Sequence, residues 1–236
     1  MTSPLLAGRA LVYSYGNTPA LRGVSVEVGR GELLAVTGPS GSGKSTLMLC
    51  LAGIIVPDAG TVTFAGEQVN AASEAERSRL RRTRIGVLFQ FGQIVPELSC
   101  AENVMLPLLP SGVRRRPART AALNWMERFD VAELADQHPG EVSGGQQQRV
   151  AVARAMVTEP EVVFADEPTG ALDQLAGEKV MTQLTRVARD SETAVVVITH
   201  DPRIAAFADR EVVIRDGLLD DADPVEASQV ASGTIR

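Results

Sequence analysis

The 236-residue sequence predicts an α/β fold built on a mostly parallel sheet, and three observations predict it. Short β-rich runs alternate with helical stretches at both ends of the chain, the pattern that βαβ units produce. Leu33-Leu34-Ala35-Val36 is apolar throughout, as a strand covered on both faces must be. A glycine-rich loop then separates that strand from a helix, which is where a parallel sheet opens onto a ligand.

Taken in order, the first β-rich runs are Ala10 to Tyr15, Val24 to Val28 and Leu33 to Thr37, divided by glycine and polar turns. Val24-Ser25-Val26-Glu27-Val28 alternates as a half-buried strand does, and Gly29-Arg30-Gly31-Glu32 reads as its turn. A helix ends near Gly53, a strand follows around Thr61 to Phe64, and Ser73 with Glu76 forms a capping box. From about Gln90 to Pro160 the reading becomes helical, with a second capping box at Ser99 and Glu102 and a longer helix from Arg114 to Phe129. Strands and helices alternate again as Val162 to Ala165, Leu175 to Arg189, Ala194 to Thr199, a short helix near Ala205, and Glu211 to Arg215. Residues after about Ala222 read as a weakly structured tail, and neither a repeat nor a low-complexity tract is found.

Composition narrows the function classes. At 44% hydrophobic and 22% charged residues, the chain can bury a substantial core without staples and is not expected to be disordered. The net charge of -6 argues against a protein that works mainly by neutralising nucleic-acid phosphates. Cys50 and Cys100 lie far apart in apolar surroundings, which suggests neither a disulfide framework nor a zinc site, and fits a reducing cytosol. The N-terminus lacks the pattern of a secretory signal, and the longest apolar runs, Leu51 to Val56 and Ala194 to Ile198, fall far short of the ~18 residues a membrane span needs. A membrane role would therefore depend on a partner chain. The basic residues are 21 arginines and two lysines, Lys44 and Lys179.

Gly38-Pro39-Ser40-Gly41-Ser42-Gly43-Lys44-Ser45 matches the phosphate-loop pattern GxxxxGK[ST], in the strand-to-helix setting that confirms it. Glycines let backbone N–H groups converge on phosphate oxygens, and the helix that follows adds the positive end of its dipole. Lys44 would place a compact charge on the β- and γ-phosphates, while the Ser45 hydroxyl would hold Mg²⁺. Val162-Val163-Phe164-Ala165-Asp166-Glu167 is an apolar strand ending in two carboxylates. Asp166 would hold Mg²⁺, which prefers hard oxygen ligands, and Glu167 would orient or deprotonate the water attacking the γ-phosphate. His200 ends the run Val195 to Thr199, so the same sheet edge should carry it with the phosphate loop and both carboxylates.

Between these motifs stands Val142-Ser143-Gly144-Gly145-Gln146-Gln147-Gln148-Arg149, which resembles the signature of ATP-binding-cassette (ABC) ATPases. The resemblance covers about Leu11 to Asp220, and Val142 departs from the commoner leucine without losing apolar character. It implies a P-loop NTPase (RecA-like) core with an N-terminal antiparallel β subdomain and an inserted helical subdomain. Residues 1–89 and 161–221 would form the core with the β subdomain, 90–160 the helical subdomain, and 222–236 a tail. It further implies ATP and Mg²⁺ as ligands, with Tyr15 on adenine, Gly38, Pro39, Ser40, Gly41, Ser42, Gly43, Lys44, Ser45 and Thr46 on the phosphates, and Gln90 as the Q-loop glutamine touching the metal. His200 resembles the switch histidine. Ser143, Gly144, Gly145 and Gln146, with Asp173 of the D-loop, would act in trans on the ATP of a second subunit in a head-to-tail homodimer or heterodimer.

Phe89-Gln90-Phe91, Glu102-Asn103-Val104, the stretch from Gly144 to Ala155, and Asp166-Glu167-Pro168-Thr169-Gly170 resemble the macrolide-exporter, lipoprotein-releasing and cell-division branch of that family. The resemblance implies a subunit that drives a membrane permease of FtsX or MacB type, held peripherally at the inner face of the cell membrane, for export or extraction of a drug, peptide or lipoprotein. Two alternatives are a cell-division-type regulator that moves no cargo, and a nucleic-acid-associated ABC ATPase. The second is disfavoured because neither tandem cassettes, a coiled-coil insertion nor zinc modules are seen, and no nucleic-acid partner is expected. The arginine clusters at 77–84 and 114–119 read as solvated helix faces, His138 as a loop residue, and Trp125 as packing among the inserted helices.

Overall fold

The computed structural model describes residues 3–89 and 94–220. In chain order the elements are β1 (Leu6–Tyr15), β2 (Thr18–Val28), β3 (Leu33–Thr37), α1 (Lys44–Leu51), β4 (Ala59–Phe64), β5 (Glu67–Gln68), α2 (Glu74–Thr83) and β6 (Ile85–Leu88). Then come α3 (Cys100–Met105), α4 (Arg115–Arg128), α5 (Gly144–Met156), β7 (Val162–Asp166), α6 (Gln174–Asp190), β8 (Ala194–Ile198), α7 (Pro202–Ala205), β9 (Arg210–Arg215) and β10 (Leu218–Leu219). Single 3₁₀ turns at Ala132–Leu134 and Pro139–Glu141 lead from α4 into α5.

Two sheets form. A four-stranded antiparallel sheet has the order β2-β1-β4-β5, and a six-stranded sheet has the order β10-β9-β3-β8-β7-β6. In the larger sheet, β6, β7, β8, β3 and β9 run parallel and only β10 turns back on β9. The strand period explains the continuous apolar runs. Leu34, Val36, Phe164, Val196 and Ile198 face a core shared with α1 and the antiparallel sheet. Leu33, Val163, Ala165, Val195 and Val197 face the opposite way, into a core built with α3 to α6. A strand with two buried faces has no solvent side on which to place polar residues.

The helix ends follow local chemistry. Ser73 accepts from the Glu76 N–H and the Glu76 carboxylate accepts from the Ser73 N–H, and Ser99 with Glu102 repeats the arrangement, as expected from sequence. Trp125 is buried and stacks on Phe129 at 6.5 Å. His138 precedes the 3₁₀ turn at Pro139, with its N–H donating to Glu141 at 2.6 Å. Both cysteines are buried and free, and burial pushes the Cys50 thiol up to about 12. Arg79 and Arg82 of α2 are exposed as expected, but three arginines of this cluster are less solvated: Arg77 and Arg81 both bind Glu74, while Arg84, just after α2, binds Glu161 and covers the Phe64 ring at 4.6 Å. Arg81 beside Glu74 holds that carboxyl down at about 2, helped by Ser78 and Arg77.

Two strands start earlier than the sequence suggests. β1 begins at Leu6 rather than Ala10, because Ala10 sits in a bulge with φ +48 that breaks the two-residue period, and its N–H is taken by Ser25 at 2.8 Å. β2 begins at Thr18 rather than Val24, because its first half, paired with the exposed end of β1, carries little apolar alternation.

One contact links the sheet to α5. A Cβ on Gly86 of β6 would lie 2.3 Å from the Ala155 carbonyl of α5 and 3.0 Å from a Val163 methyl. Gly86→Ala is expected to force the helix off the sheet, at about 1–3 kcal/mol of stability. A denaturant midpoint equal to that of the parent would refute this close approach.

Candidate functional site

The parallel register brings the chemistry together. Val36 of β3 and Asp166 of β7 both lie opposite Ile198 of β8, so the loops that leave these three strands share one edge of the sheet. That edge carries Gly38 to Thr46, Asp166, Glu167 and His200, as the sequence predicted. Gln90 and Phe91 lie outside the described residues; the strand preceding them, β6, ends with Leu88 opposite Ala165.

The phosphate loop is shaped by its glycines. Gly38 has φ +138, and a Cβ there would lie 2.0 Å from the Ile214 carbonyl on β9. Gly43 has φ +106, and a Cβ there would lie 2.4 Å from the Ala20 carbonyl on β2. Neither position admits a side chain. The loop therefore closes into a cradle, from which Lys44 folds back to donate to the carbonyls of Gly38 (2.9 Å) and Pro39 (2.8 Å). Inside it the Ser42 hydroxyl is buried without a hydrogen-bond partner, an arrangement that costs free energy until an acceptor arrives. Such a hydroxyl, a lysine at the mouth and the N-terminus of α1 fit an oxyanion ligand.

The carboxylates fit a divalent cation. Burial pushes the Asp166 carboxyl above the ordinary range, with the Glu167 charge adding to the effect and the nearby Ser45 hydroxyl and Lys44 ammonium opposing it. A half-buried acidic pair with one lysine nearby is electrostatically incomplete, and a hydroxyl with a carboxylate offers hard oxygen donors of the kind Mg²⁺ takes. Among the described residues no cluster of three or more His, Cys, Asp or Glu forms a metal cage.

Glu167 stands at a sharp turn, with φ +45, its N–H donating to Ile198 at 2.9 Å and its carbonyl accepting from Gly170 at 3.1 Å. The carboxylate is held at both oxygens: Oε1 lies 2.6 Å from His200 Nδ1, and Oε2 accepts from the Thr199 hydroxyl at 3.4 Å. Tyr15 projects from the β1–β2 hairpin, whose β2 strand abuts Gly43, with 53% of its surface exposed and its edge against Tyr13 at 5.0 Å. An exposed ring beside a phosphate cradle is free to stack on a base.

A second constellation lies at the start of α5. Ser143 caps the helix by accepting from the Gln146 N–H, while Gln146 accepts from the Ser143 N–H at 2.8 Å. Ser143 and Gly144 are exposed, and Cβ atoms on Gly144 and Gly145 would lie 3.7 Å from Leu172 and 3.5 Å from Ala176. These neighbours flank Asp173, which caps α6 by accepting from the Ala176 N–H at 2.9 Å. Two helix N-termini thus adjoin on one surface, with Leu175 81% exposed beside them.

Two side chains have structural roles that the sequence reading does not give them, although Asn103 stands in one of the stretches that carry the branch resemblance. Asn103 is fully buried; it accepts from the Val95 N–H and donates to the carbonyls of Val95, Leu98 and Ser99, tying the segment before α3 to the helix. The sequence reading places Thr199 only at the end of β8, although a hydroxyl closing an all-apolar strand next to His200 is a visible cue.

A family model described as ABC transporter matches residues 21–170. The chain is 42% identical over 212 residues to the lipoprotein-releasing system ATP-binding protein LolD of Paramagnetospirillum magneticum, covering 89% of this chain and 93% of that protein. It is 43% identical over 222 residues to the LolD protein of Bordetella pertussis, covering 92% and 96%. Among solved structures it resembles a dimeric ATP-binding cassette in a post-hydrolysis state bound to ADP and Pi, with TM-score 0.84, 33% identity, and coverage of 94% of this chain and 98% of that one.

Proposed function

The chain belongs to the ABC transporter family of ATP-binding subunits, and from that premise we propose that it drives a permease of FtsX or MacB type for export or extraction of a lipoprotein-like substrate. It is an ATPase. The observation that carries the reading is the edge where the cradle with its unpartnered Ser42 hydroxyl meets Asp166, Glu167 and His200.

In this reading the backbone of Gly38 to Gly43 and the hydroxyls of Ser40, Ser42 and Thr46 grip the phosphates, Lys44 turns from its loop carbonyls to the β- and γ-phosphates, and Tyr15 stacks on adenine. Ser45, Asp166 and Gln90 hold Mg²⁺, which when bound neutralises charge on the transferring phosphoryl group. Glu167 accepts a proton from water as the water oxygen bonds to the γ-phosphorus and the bond to the bridging oxygen breaks, releasing ADP and phosphate. His200 leaves Glu167 to meet the γ-phosphate.

One nucleotide does not require both phosphate-binding helix ends of a single chain. The exposed N-terminus of α5, with Ser143, Gly144, Gly145 and Gln146, therefore completes the site of a second copy, and Asp173 crosses between the two. ATP held by both subunits biases them towards closure, and hydrolysis reopens them. Residues 1–89 and 161–221 act as the core with the β subdomain and 90–160 as the helical subdomain that transmits this motion; the segment 222–236, expected from sequence to be a tail, lies outside the described residues.

Among the described residues no helix is long and apolar enough to cross a membrane, so attachment at the inner face of the cell membrane would come through the permease. The test is co-purification. The tagged chain, co-expressed with the permease encoded beside it, is expected to bring down a four-span protein with a large extracytoplasmic domain and to hydrolyse ATP in a Mg²⁺-dependent way. An ATPase stimulated by DNA, with no permease bound, would overturn the reading; permease binding without movement of a lipoprotein in reconstituted vesicles would favour the cell-division-type alternative.

A further inference from the structure

We infer that Thr199 is a positioning residue for hydrolysis, keeping the Glu167 carboxylate aimed at the attacking water once His200 has left it; the inference rests on the assignment of Glu167 as the base. Two side chains hold that carboxylate, and they differ in kind. His200, at Oε1, has a side chain 71% exposed and is held there by a single ring nitrogen, so it can move away. Thr199, at Oε2, is 1% exposed at the end of β8, with its own N–H donating to Val36 of β3 at 3.1 Å. It cannot leave without disturbing the strand that adjoins the phosphate loop.

The single hydroxyl proton sets the direction of the bond. The Asp201 N–H donates to Thr199 Oγ1 at 3.1 Å, which occupies a lone pair. The hydroxyl proton is then turned away from that amide, and the acceptor present on the other side is Glu167 Oε2. Thr199 is a buried donor, polarised by an amide and turned towards one oxygen of the base across a long hydrogen bond of 3.4 Å. With Oε2 held and Oε1 vacated, the free lone pairs of Glu167 face the side His200 occupied, which is the side of the γ-phosphate in the proposed cycle. Without the hydroxyl, the carboxylate could rotate about its last bond and lose that aim, an effect on the chemical step and not on nucleotide binding.

The experiment compares the full-length parent with Thr199→Val, Thr199→Ser and Glu167→Gln, measuring steady-state ATP hydrolysis, equilibrium ATP binding and the thermal midpoint of each. Valine keeps the shape and removes the donor; serine keeps the donor and removes the methyl. Thr199→Val is expected to lower kcat by roughly tenfold to a hundredfold with KM and the ATP Kd changed by less than about twofold, the pattern of an interaction used in the transition state. Thr199→Ser is expected to restore most of the rate. A Thr199→Val enzyme with unchanged kcat beside an inactive Glu167→Gln enzyme would overturn the role of Thr199 alone. Equal loss in the valine and serine variants would overturn it too, since the methyl and not the hydroxyl would then matter. Should valine lower the thermal midpoint, the serine variant and the KM-against-kcat split still decide the question. Full turnover by Glu167→Gln would instead remove the premise about the base.

Discussion

Glu167→Gln is expected to bind ATP and hold it, with turnover reduced by roughly 10²- to 10⁴-fold, the range that removal of a general base commonly produces. Glutamine matches glutamate in shape and can accept from Thr199 through its carbonyl oxygen, so the turn at φ +45 and the strand ends around it have no reason to change. What it lacks is a basic oxygen for the proton of the attacking water. The cradle and Lys44 are untouched, so affinity for ATP should stay near that of the parent. The consequence is visible in the assembly. Since the exposed N-termini of α5 and α6 are proposed to close on the ATP of a second copy, unhydrolysed ATP should trap a dimer that separates from the monomer by size-exclusion chromatography and disappears when ATP is left out. Near-normal turnover would sink the assignment of Glu167. Inactivity with no ATP-dependent dimer would leave the base in place and refute the role of Ser143 and its neighbours in trans.

The parts of this site that were legible in sequence are those whose chemistry is local. The phosphate loop needs glycines at fixed offsets because Gly38 and Gly43 press against the carbonyls of Ile214 and Ala20, and that demand is written into one octapeptide. The strands β3, β7 and β8 were legible because burial on two faces leaves a run of apolar residues with a polar group only at the end. Convergence of Asp166, Glu167 and His200 then followed from the rule that parallel strands present their carboxyl ends together. Thr199 and Asn103 escaped because their roles lie in partners distant in the chain: a carboxylate 32 residues away for Thr199, and for Asn103 the carbonyls of a loop without periodicity. The bulge at Ala10 and the two-residue strands β5 and β10 escaped for a related reason, since pairing there is imposed by the neighbouring strand and leaves little trace in residue pattern. The partners of Arg77, Arg81 and Arg84 are not legible, because charge alone does not say that Arg84 will cover an aromatic ring.

Lys44→Ala is expected to weaken ATP binding and cut hydrolysis by roughly 10²- to 10³-fold, the loss typical when one preorganised charge is removed from developing phosphoryl charge. The side chain is nearly buried and its ammonium is parked on two carbonyls of its own loop, so it is already desolvated and aimed before nucleotide arrives. Loss of the loop itself is not the expected cause, because the Ser42 N–H still donates to Pro39 and the Leu47 N–H to Gly43, and both glycine contacts survive the substitution. Thermal unfolding of the variant should confirm this by changing little. Lys44→Arg should also fail, because a planar forked guanidinium does not fit where a compact ammonium sits between two carbonyls. The chain carries its own control. The only other lysine, Lys179, is exposed on α6, and Lys179→Ala should leave both binding and turnover unchanged. If Lys44→Ala bound ATP as the parent does, the phosphate cradle would have to work through its amides and hydroxyls alone, and the electrostatic half of the proposed site would fall.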